Sequence, residues 1–223
     1  MRIAGLEKFS TVDFPGSLSA VVFAAGCNYR CFYCHNRHIL TEPPLLPEAE
    51  VSAFLEKRAG LLDGVVFSGG EPTLQSGLPG WLRRVRALGY RTKLDTNGSR
   101  PETLRALIAD GLLDYVAMDY KAPLDSYLPL CGADAAGVAE SLALLRDSGI
   151  PYELRTTLVP QLTEAKLRRM AAAVPADAPW FLQLYRPQPG DEAVLRGLAP
   201  YTPGEIEARA EALRRVRPLV KAR

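Results

Sequence analysis

The chain has 223 residues, 48% hydrophobic, 23% charged and 8% aromatic. This excludes wholesale disorder, collagen and coiled coil and suits one domain with a sizeable core. Its 27 Lys and Arg stand against 25 Asp and Glu, and the net +2 gives no bulk electrostatic case for nucleic acid or an anionic membrane.

Residues 1–17 form an N-terminal segment in which Glu7 and Asp13 offset Arg2 and Lys8, a poor signal peptide. The longest apolar run, residues 18–25 broken only by Ser19, is far short of the ~20 residues that span a bilayer, so the chain reads as cytoplasmic. From there β-branched runs alternate with amphipathic stretches: strand 18–25, helix 48–59, strand 64–68, helix 78–88, strand 90–95, helix 101–110, strand 114–119, helix 135–148, strand 152–158, helix 164–173, strand 180–185 and a last helix at 203–216. Gly89, Gly111 and Gly149 follow helical patterns as C′ glycines, and Pro101 and Pro203 sit at helix starts. Strand–helix alternation implies right-handed βαβ units and a parallel sheet, apolar on both faces where Val65-Val66-Phe67 and Val116-Ala117-Met118 run. Six units are too few for a complete eight-fold barrel. The expected fold is therefore α/β, a partial (β/α)6 TIM-type barrel over 18–187 with a C-terminal helical extension at 188–223, a doubly wound sheet being the alternative.

Polar and glycine residues cluster just after the strands. They are the loop 26–36, Ser68-Gly69-Gly70-Glu71-Pro72, Asp95-Thr96-Asn97-Gly98, Asp119-Tyr120-Lys121, and Arg155 within the fifth strand. In parallel α/β folds these ends converge on one face, where ligands bind. Turn chemistry alone accounts for Asn97 and Gly98. It does not account for the charged Glu71, Asp119, Lys121 and Arg155 at the same edge.

Three of the four cysteines lie in the first of these loops, as Cys27-x3-Cys31-x2-Cys34. Thiolates are soft ligands that select zinc, copper(I) or iron–sulfur clusters. Zinc would take His35 or His38 as a fourth ligand, and an electron-transfer cluster would need a fourth cysteine. A four-iron cluster on three cysteines would instead leave one iron open. Tyr33 could pack against a planar base. Cys131 reads as a small buried hydrophobe. Six basic residues against Glu211 in 209–223 suggest a solvated helix face or a dock for an acidic partner.

The cysteine spacing after a first strand resembles the radical S-adenosylmethionine superfamily. The string Gly26-Cys27-x3-Cys31-Phe32-Tyr33-Cys34-His35-Asn36 is similar to the activases of glycyl-radical enzymes. Phe9-Ser10-Thr11-Val12-Asp13-Phe14-Pro15-Gly16, Ser68-Gly69-Gly70-Glu71-Pro72, Asp95-Thr96-Asn97-Gly98, Met118-Asp119-Tyr120-Lys121 and Arg155-Thr156-Thr157 follow the same pattern, over residues 3–187. Among the activases it looks most like the longer form of the anaerobic ribonucleoside-triphosphate reductase activating proteins. Phe14 stands where pyruvate formate-lyase activases commonly carry glycine.

The resemblance implies one [4Fe–4S] cluster on Cys27, Cys31 and Cys34, with S-adenosylmethionine on its open iron. Cleavage of that cofactor would give a 5′-deoxyadenosyl radical that removes hydrogen from a glycine of a partner enzyme, fed by a flavodoxin or ferredoxin-type reductant. S-adenosylmethionine contacts would come from Tyr33, Gly69, Gly70, Glu71, Asp95, Thr96, Asn97, Asp119, Lys121 and Arg155, and Asp13 would face the partner. Asp95, Thr96 and Asp119 would also suit a monovalent cation, and Lys121 and Arg155 could equally pair with Asp95 and Asp119. A small-molecule radical reaction, as in a 7-carboxy-7-deazaguanine synthase, a pyruvate formate-lyase-like target and a zinc module are the alternatives.

Overall fold

The computed structural model describes residues 1–223, the side chain of Glu192 excepted. Strand β1 (Ile3–Ser10) runs antiparallel to β2 (Ser19–Ala24), from Ile3 opposite Ala24 to Ser10 opposite Ser19. Then follow α1 (Glu48–Arg58), β3 (Gly64–Gly69), α2 (Leu78–Ala87), β4 (Arg91–Thr96), α3 (Pro101–Ala109), β5 (Tyr115–Asp119), the short α4 (Tyr127–Cys131), α5 (Val138–Ser148) and β6 (Tyr152–Leu158). The chain ends with α6 (Glu164–Ala173), β7 (Trp180–Leu184), the single-turn α7 (Glu192–Leu195), α8 (Pro203–Arg214) and β8 (Val220–Ala222). The eight strands lie side by side in sequence order, every pair from β2 to β8 parallel. β1 and β8 form the two edges, so the sheet is an incomplete barrel with one more parallel strand than the six expected.

Two expectations change. The N-terminal segment carries β1, whose charged Glu7 and Lys8 and exposed Phe9 hide the alternation of a buried strand. The C-terminal extension is not purely helical, because its last residues add β8 beside β7. The helices and the other strands fall within a few residues of their expected bounds. Gly89, Gly111 and Gly149 do hold positive φ, at 89°, 64° and 71°, where an L side chain would be strained.

Alternation along the strands divides the sheet into two faces. Ala20, Val22, Val65, Phe67, Leu94, Val116, Met118, Leu154 and Leu182 face the helices in one continuous core. The other face holds a small separate cluster of Phe14, Val21 and Val66, and charged Lys93 and Glu153 are buried along the strands. Phe14 closes the N-terminal end of that face. It lies 6.1 Å from the Tyr115 ring, under the Arg91 guanidinium at 4.8 Å, and so near Gly64 that a Cβ there would meet its ring at 2.8 Å. The polar residues further along the same face build the site.

Candidate active site at the C-terminal ends of the strands

The loop after β2 is fixed at both ends by backbone. Gly26, at φ 82°, donates to Ile39 O at 2.9 Å and accepts from Glu71 N at 2.9 Å. Gly69 ends β3 against it and Gly70 follows. A Cβ on Gly70 would meet Gly26 O at 1.9 Å, and one on Gly69 would meet Ala24 backbone at 2.6 Å. These glycines let two strand ends touch. In the middle of the loop, Cys34 N donates to Cys31 O at 3.1 Å, and Arg30 N donates to Cys131 O at 2.7 Å, which seats the loop on the end of α4. Arg37 reaches Phe32 O and the carboxylate of Asp191, which also accepts from Tyr185 Oη and from Gln188 N at 2.9 Å.

Behind the loop lies a cavity of about 220 Å³. Cys27, Cys31, Cys34 and Tyr33 line it from the loop, Gly69 and Gly70 from the β3 end, Asp95, Thr96 and Asn97 from β4, and Asp119, Lys121 and Arg155 from β5 and β6. Twelve of the fourteen residues named from the sequence thus meet in one place. Tyr29, His35, Asn36, Leu40, Ser68, Thr157 and Gln183 complete the lining. Position between two cysteines was the signal for Tyr29, and strand alternation from Asp95 and Arg155 was the signal for Ser68, Thr157 and Gln183.

Two residues lie elsewhere. Glu71 is fully buried outside the cavity lining. It accepts from Thr73 N at 3.1 Å, Thr73 Oγ1 at 2.5 Å, Thr96 Oγ1 at 2.8 Å and Asn97 N at 2.6 Å, so it pins the β3 and β4 ends together and has its acceptors filled. Asp13 follows β1 at the opposite end of the strands and accepts from Ser10 Oγ at 2.6 Å, closing a turn rather than joining the thiols.

A chain of charges crosses the cavity floor. Asp95 pairs with Lys93 and, at 3.3 Å, with Arg155; Arg155 pairs with Asp119 at 3.1 Å; Asp119 pairs with Lys121 at 2.9 Å. Ser68 Oγ adds a donor to Asp95 at 2.9 Å. Burial pushes both carboxyls up, but Arg155 and Lys93 beside Asp95, and Lys121 and Arg155 beside Asp119, outweigh it and hold both below the usual carboxylate range. The expected monovalent cation on Asp95 and Asp119 therefore meets carboxylates already neutralised by built-in ammonium and guanidinium groups, the pairing the sequence had left as the alternative. Lys93 is buried behind the lining, so the groups that face the cavity, Arg155 and Lys121 against Asp95 and Asp119, balance one another.

Burial pushes the Cys27 thiol up to about 11 and raises Cys34, while Cys31 is raised first by the neighbouring Cys131 thiol and then by burial. Among the described residues no three His, Cys, Asp or Glu close on one point as a single metal ion requires. His35 instead meets the Gln188 amide at 3.4 Å and His38 is exposed, so the zinc arrangement is not formed. Three soft thiols around a cavity suit a larger inorganic group. The buried hydroxyl of Tyr29, lining the same cavity without a partner in the chain, suits it too.

Of the remaining candidates, Gln183 lines the cavity, Tyr185 is buried and Arg186 is exposed. The C-terminal basic residues are largely engaged: Arg209 stacks on Tyr201 at 4.0 Å, Arg214 pairs with Glu207 at 2.6 Å and with Glu211, and Arg217 donates to Val174 O at 2.5 Å. Among the described residues no helix is long and apolar enough to cross a membrane.

The Radical SAM superfamily profile matches residues 21–174. MJ1227 of Methanocaldococcus jannaschii, assigned by name to the glycyl-radical enzyme activating enzymes, is 35% identical over 169 residues, 73% of this chain and 70% of its own. The pyruvate formate-lyase-activating enzyme of Clostridium pasteurianum is 30% identical over 183 residues, 76% of this chain and 74% of its own. In architecture the chain superposes on Streptococcus suis SuiB, solved with its precursor peptide SuiA, at a TM-score of 0.71 and 14% identity, over 91% of this chain and 48% of that one. The fold, the thiol-lined cavity and these relatives together show that the chain belongs to the radical SAM superfamily, whose cofactors are a [4Fe–4S] cluster and S-adenosylmethionine, and stands with its glycyl-radical enzyme activating enzymes.

Proposed function

We propose that this chain installs a glycyl radical on anaerobic ribonucleoside-triphosphate reductase, with the cluster on Cys27, Cys31 and Cys34 and S-adenosylmethionine over the charged floor of the same cavity. The observation that carries this reading is the single cavity in which three thiols face a floor of paired charges, Asp95, Arg155, Asp119 and Lys121. When bound, the cluster and S-adenosylmethionine supply one-electron cleavage of a sulfonium and, through it, hydrogen abstraction from a glycine α-carbon. The chain's own residues bind and orient. Lys121 and Arg155 face the cavity and offer their remaining N–H donors to the methionyl carboxylate, the Arg fork being held in place by Asp95 and Asp119. Tyr33, Thr96 and Asn97 offer an aromatic face and polar groups to the rest of the nucleoside. A flavodoxin or ferredoxin-type protein would deliver the electron.

Phe14 bears on the alternative target. It fills the N-terminal end of the inner face with a ring where pyruvate formate-lyase activases commonly have glycine, a departure that weighs against a pyruvate formate-lyase-like target.

The test is anaerobic reconstitution with iron and sulfide, followed by reductant, S-adenosylmethionine and purified anaerobic ribonucleotide reductase. The expected result is about four irons per chain, release of 5′-deoxyadenosine and a glycyl radical by electron paramagnetic resonance. Cofactor cleavage without a glycyl radical would move the reading to a small-molecule substrate, and colourless protein holding one tight zinc would end it. Cys31→Ala should lose both cluster and cleavage while keeping its circular dichroism spectrum.

A further inference from the structure

A second cavity, of about 340 Å³, opens beside the cysteine loop and takes no part in the site described above. Pro129 and Leu130 of α4, Val194 of α7, Leu198 just beyond it and Phe32 of the cysteine loop give it apolar walls. Val194 is 40% exposed and Leu198 50%. Leu128, the residue before Pro129, is 66% exposed. Large apolar side chains left in water on adjoining elements mark a surface that something covers. The polar residues of the groove are Gln161, Lys166 and Arg196, and among the described residues no carboxylate lines it. Lys166 Nζ donates to Gln161 O at 3.0 Å, which holds the ammonium at the wall. Gln161 Nε2 donates to Val194 O at 3.1 Å, while its Oε1 is buried and receives no donor among the described residues. Such an orphan acceptor is costly unless a partner meets it.

We infer that this groove is the docking surface for the protein whose glycine is attacked, and that it takes an extended acidic segment of that partner. Apolar side chains of the segment lie against Val194, Leu198 and Phe32, carboxylates beside Lys166 and Arg196, and a backbone N–H toward Gln161 Oε1. This rests on the glycyl-radical reading above. Three features select that occupant. The groove is continuous with the site's own loop, since Phe32 lies between Cys31 and Tyr33 and meets the Tyr33 ring edge-on at 5.2 Å. A reaction at one residue of a large folded partner needs the rest of that partner held beside the mouth, so that the reacting carbon arrives in one orientation. Two cations in a groove without a carboxylate attract acidic chain and repel basic chain. The apolar walls argue against the electron donor. Redox encounters are the small, short-lived class of interface, whereas a buried apolar centre belongs to complexes that persist.

The test uses the anaerobically reconstituted full chain with two purified glycyl-radical enzymes, anaerobic ribonucleotide reductase and pyruvate formate-lyase, each labelled for fluorescence anisotropy. Val194→Asp and Leu198→Asp should each weaken binding of the enzyme that the wild type binds by about tenfold or more, as truncations at the centre of an interface do. Arg196→Glu should weaken it less and remove part of its salt dependence. Cleavage of S-adenosylmethionine with dithionite and no partner should be unchanged in all three, so the loss appears as a raised KM for the partner at unchanged kcat. Hydrogen exchange in the wild-type complex should slow across residues 128–131, 161–166 and 194–198, a readout that needs no variant to fold. Wild-type affinity in the three variants, with no slowing at those amides, would overturn the inference. Impaired electron transfer from a flavodoxin at unchanged partner affinity would give the groove to the reductant and overturn it too. Loss of a wild-type homodimer at unchanged partner affinity would do the same in favour of a second copy of this chain. A wild type that binds neither enzyme would sink the glycyl-radical reading itself, whereas a failed surface leaves wild-type binding intact, so the two failures are distinguishable.

Discussion

Glu71 and Gly70 sit in one motif and act on the site without lining it in the same way. Glu71 gathers four donors on two oxygens while fully buried. Burial pushes its carboxyl up and the donors from Thr73, Asn97 and Thr96 pull against that. Glu71→Gln keeps the shape but turns one acceptor oxygen into a donor amide, which leaves buried N–H or O–H groups unmet. The expected cost is about 1–3 kcal/mol, read as a lower urea midpoint at unchanged slope. Gly70→Ala should cost about as much for a steric reason, since its Cβ would strike Gly26 O, a backbone atom that cannot step aside cheaply. Gly80 in α2 is the control: nothing lies within 4 Å of its missing Cβ, and Gly80→Ala should raise stability by about 0.5 kcal/mol. The motif identified these residues as special because charge and glycine at a strand end are costly without a purpose. Which way Glu71 points depends on the β4 end, which sequence spacing does not encode.

At the scale of elements, periodicity carried the reading wherever an element was long and buried on one side. The helices α1, α2, α3, α5, α6 and α8 and the strands β2 to β7 all have such a face. What escaped was short or at an edge. β8 has three residues, α7 four and α4 five, too few for any period to register, and β1 has a solvated stretch at Glu7, Lys8 and Phe9. These elements matter to the site because α4 and the turn before α7 hold the cysteine loop. Asp191 is the key group there. Burial pushes its carboxyl up, and Tyr185, Gln188 and Arg37 outweigh that and hold it below the usual range. Asp191→Asn would keep one acceptor oxygen for three donors and remove the charge opposite Arg37. The expected outcome is faster amide exchange across residues 30–40 and faster iron loss to a chelator, with the global unfolding midpoint lowered by less than in Glu71→Gln.

Across the whole molecule, the sheet has an apolar face for its helices and a charged face for its chemistry, and the second should make stability depend on acid. Lys93, Asp95, Arg155, Asp119 and Lys121 tie β4, β5 and β6 together side by side, and breaking a buried ion pair on one side costs about 3–5 kcal/mol. The sign follows from the two aspartates. Their folded values lie below the ordinary value of about 3.9, so near that pH the unfolded chain binds more protons than the folded one. Their contribution is therefore complete above about pH 5 and is lost as pH falls through the ordinary value and on through the folded one. Urea midpoints measured from pH 7 downward should stay level and then drop below about pH 5. Arg155→Gln separates this belt from the surface carboxylates. It removes the shared cation of Asp95 and Asp119, raises both folded values toward the ordinary one, and so should lower stability at pH 7 while flattening the acid limb. An acid limb as steep as wild type in Arg155→Gln would place the pH dependence on other carboxylates and leave the belt without this role.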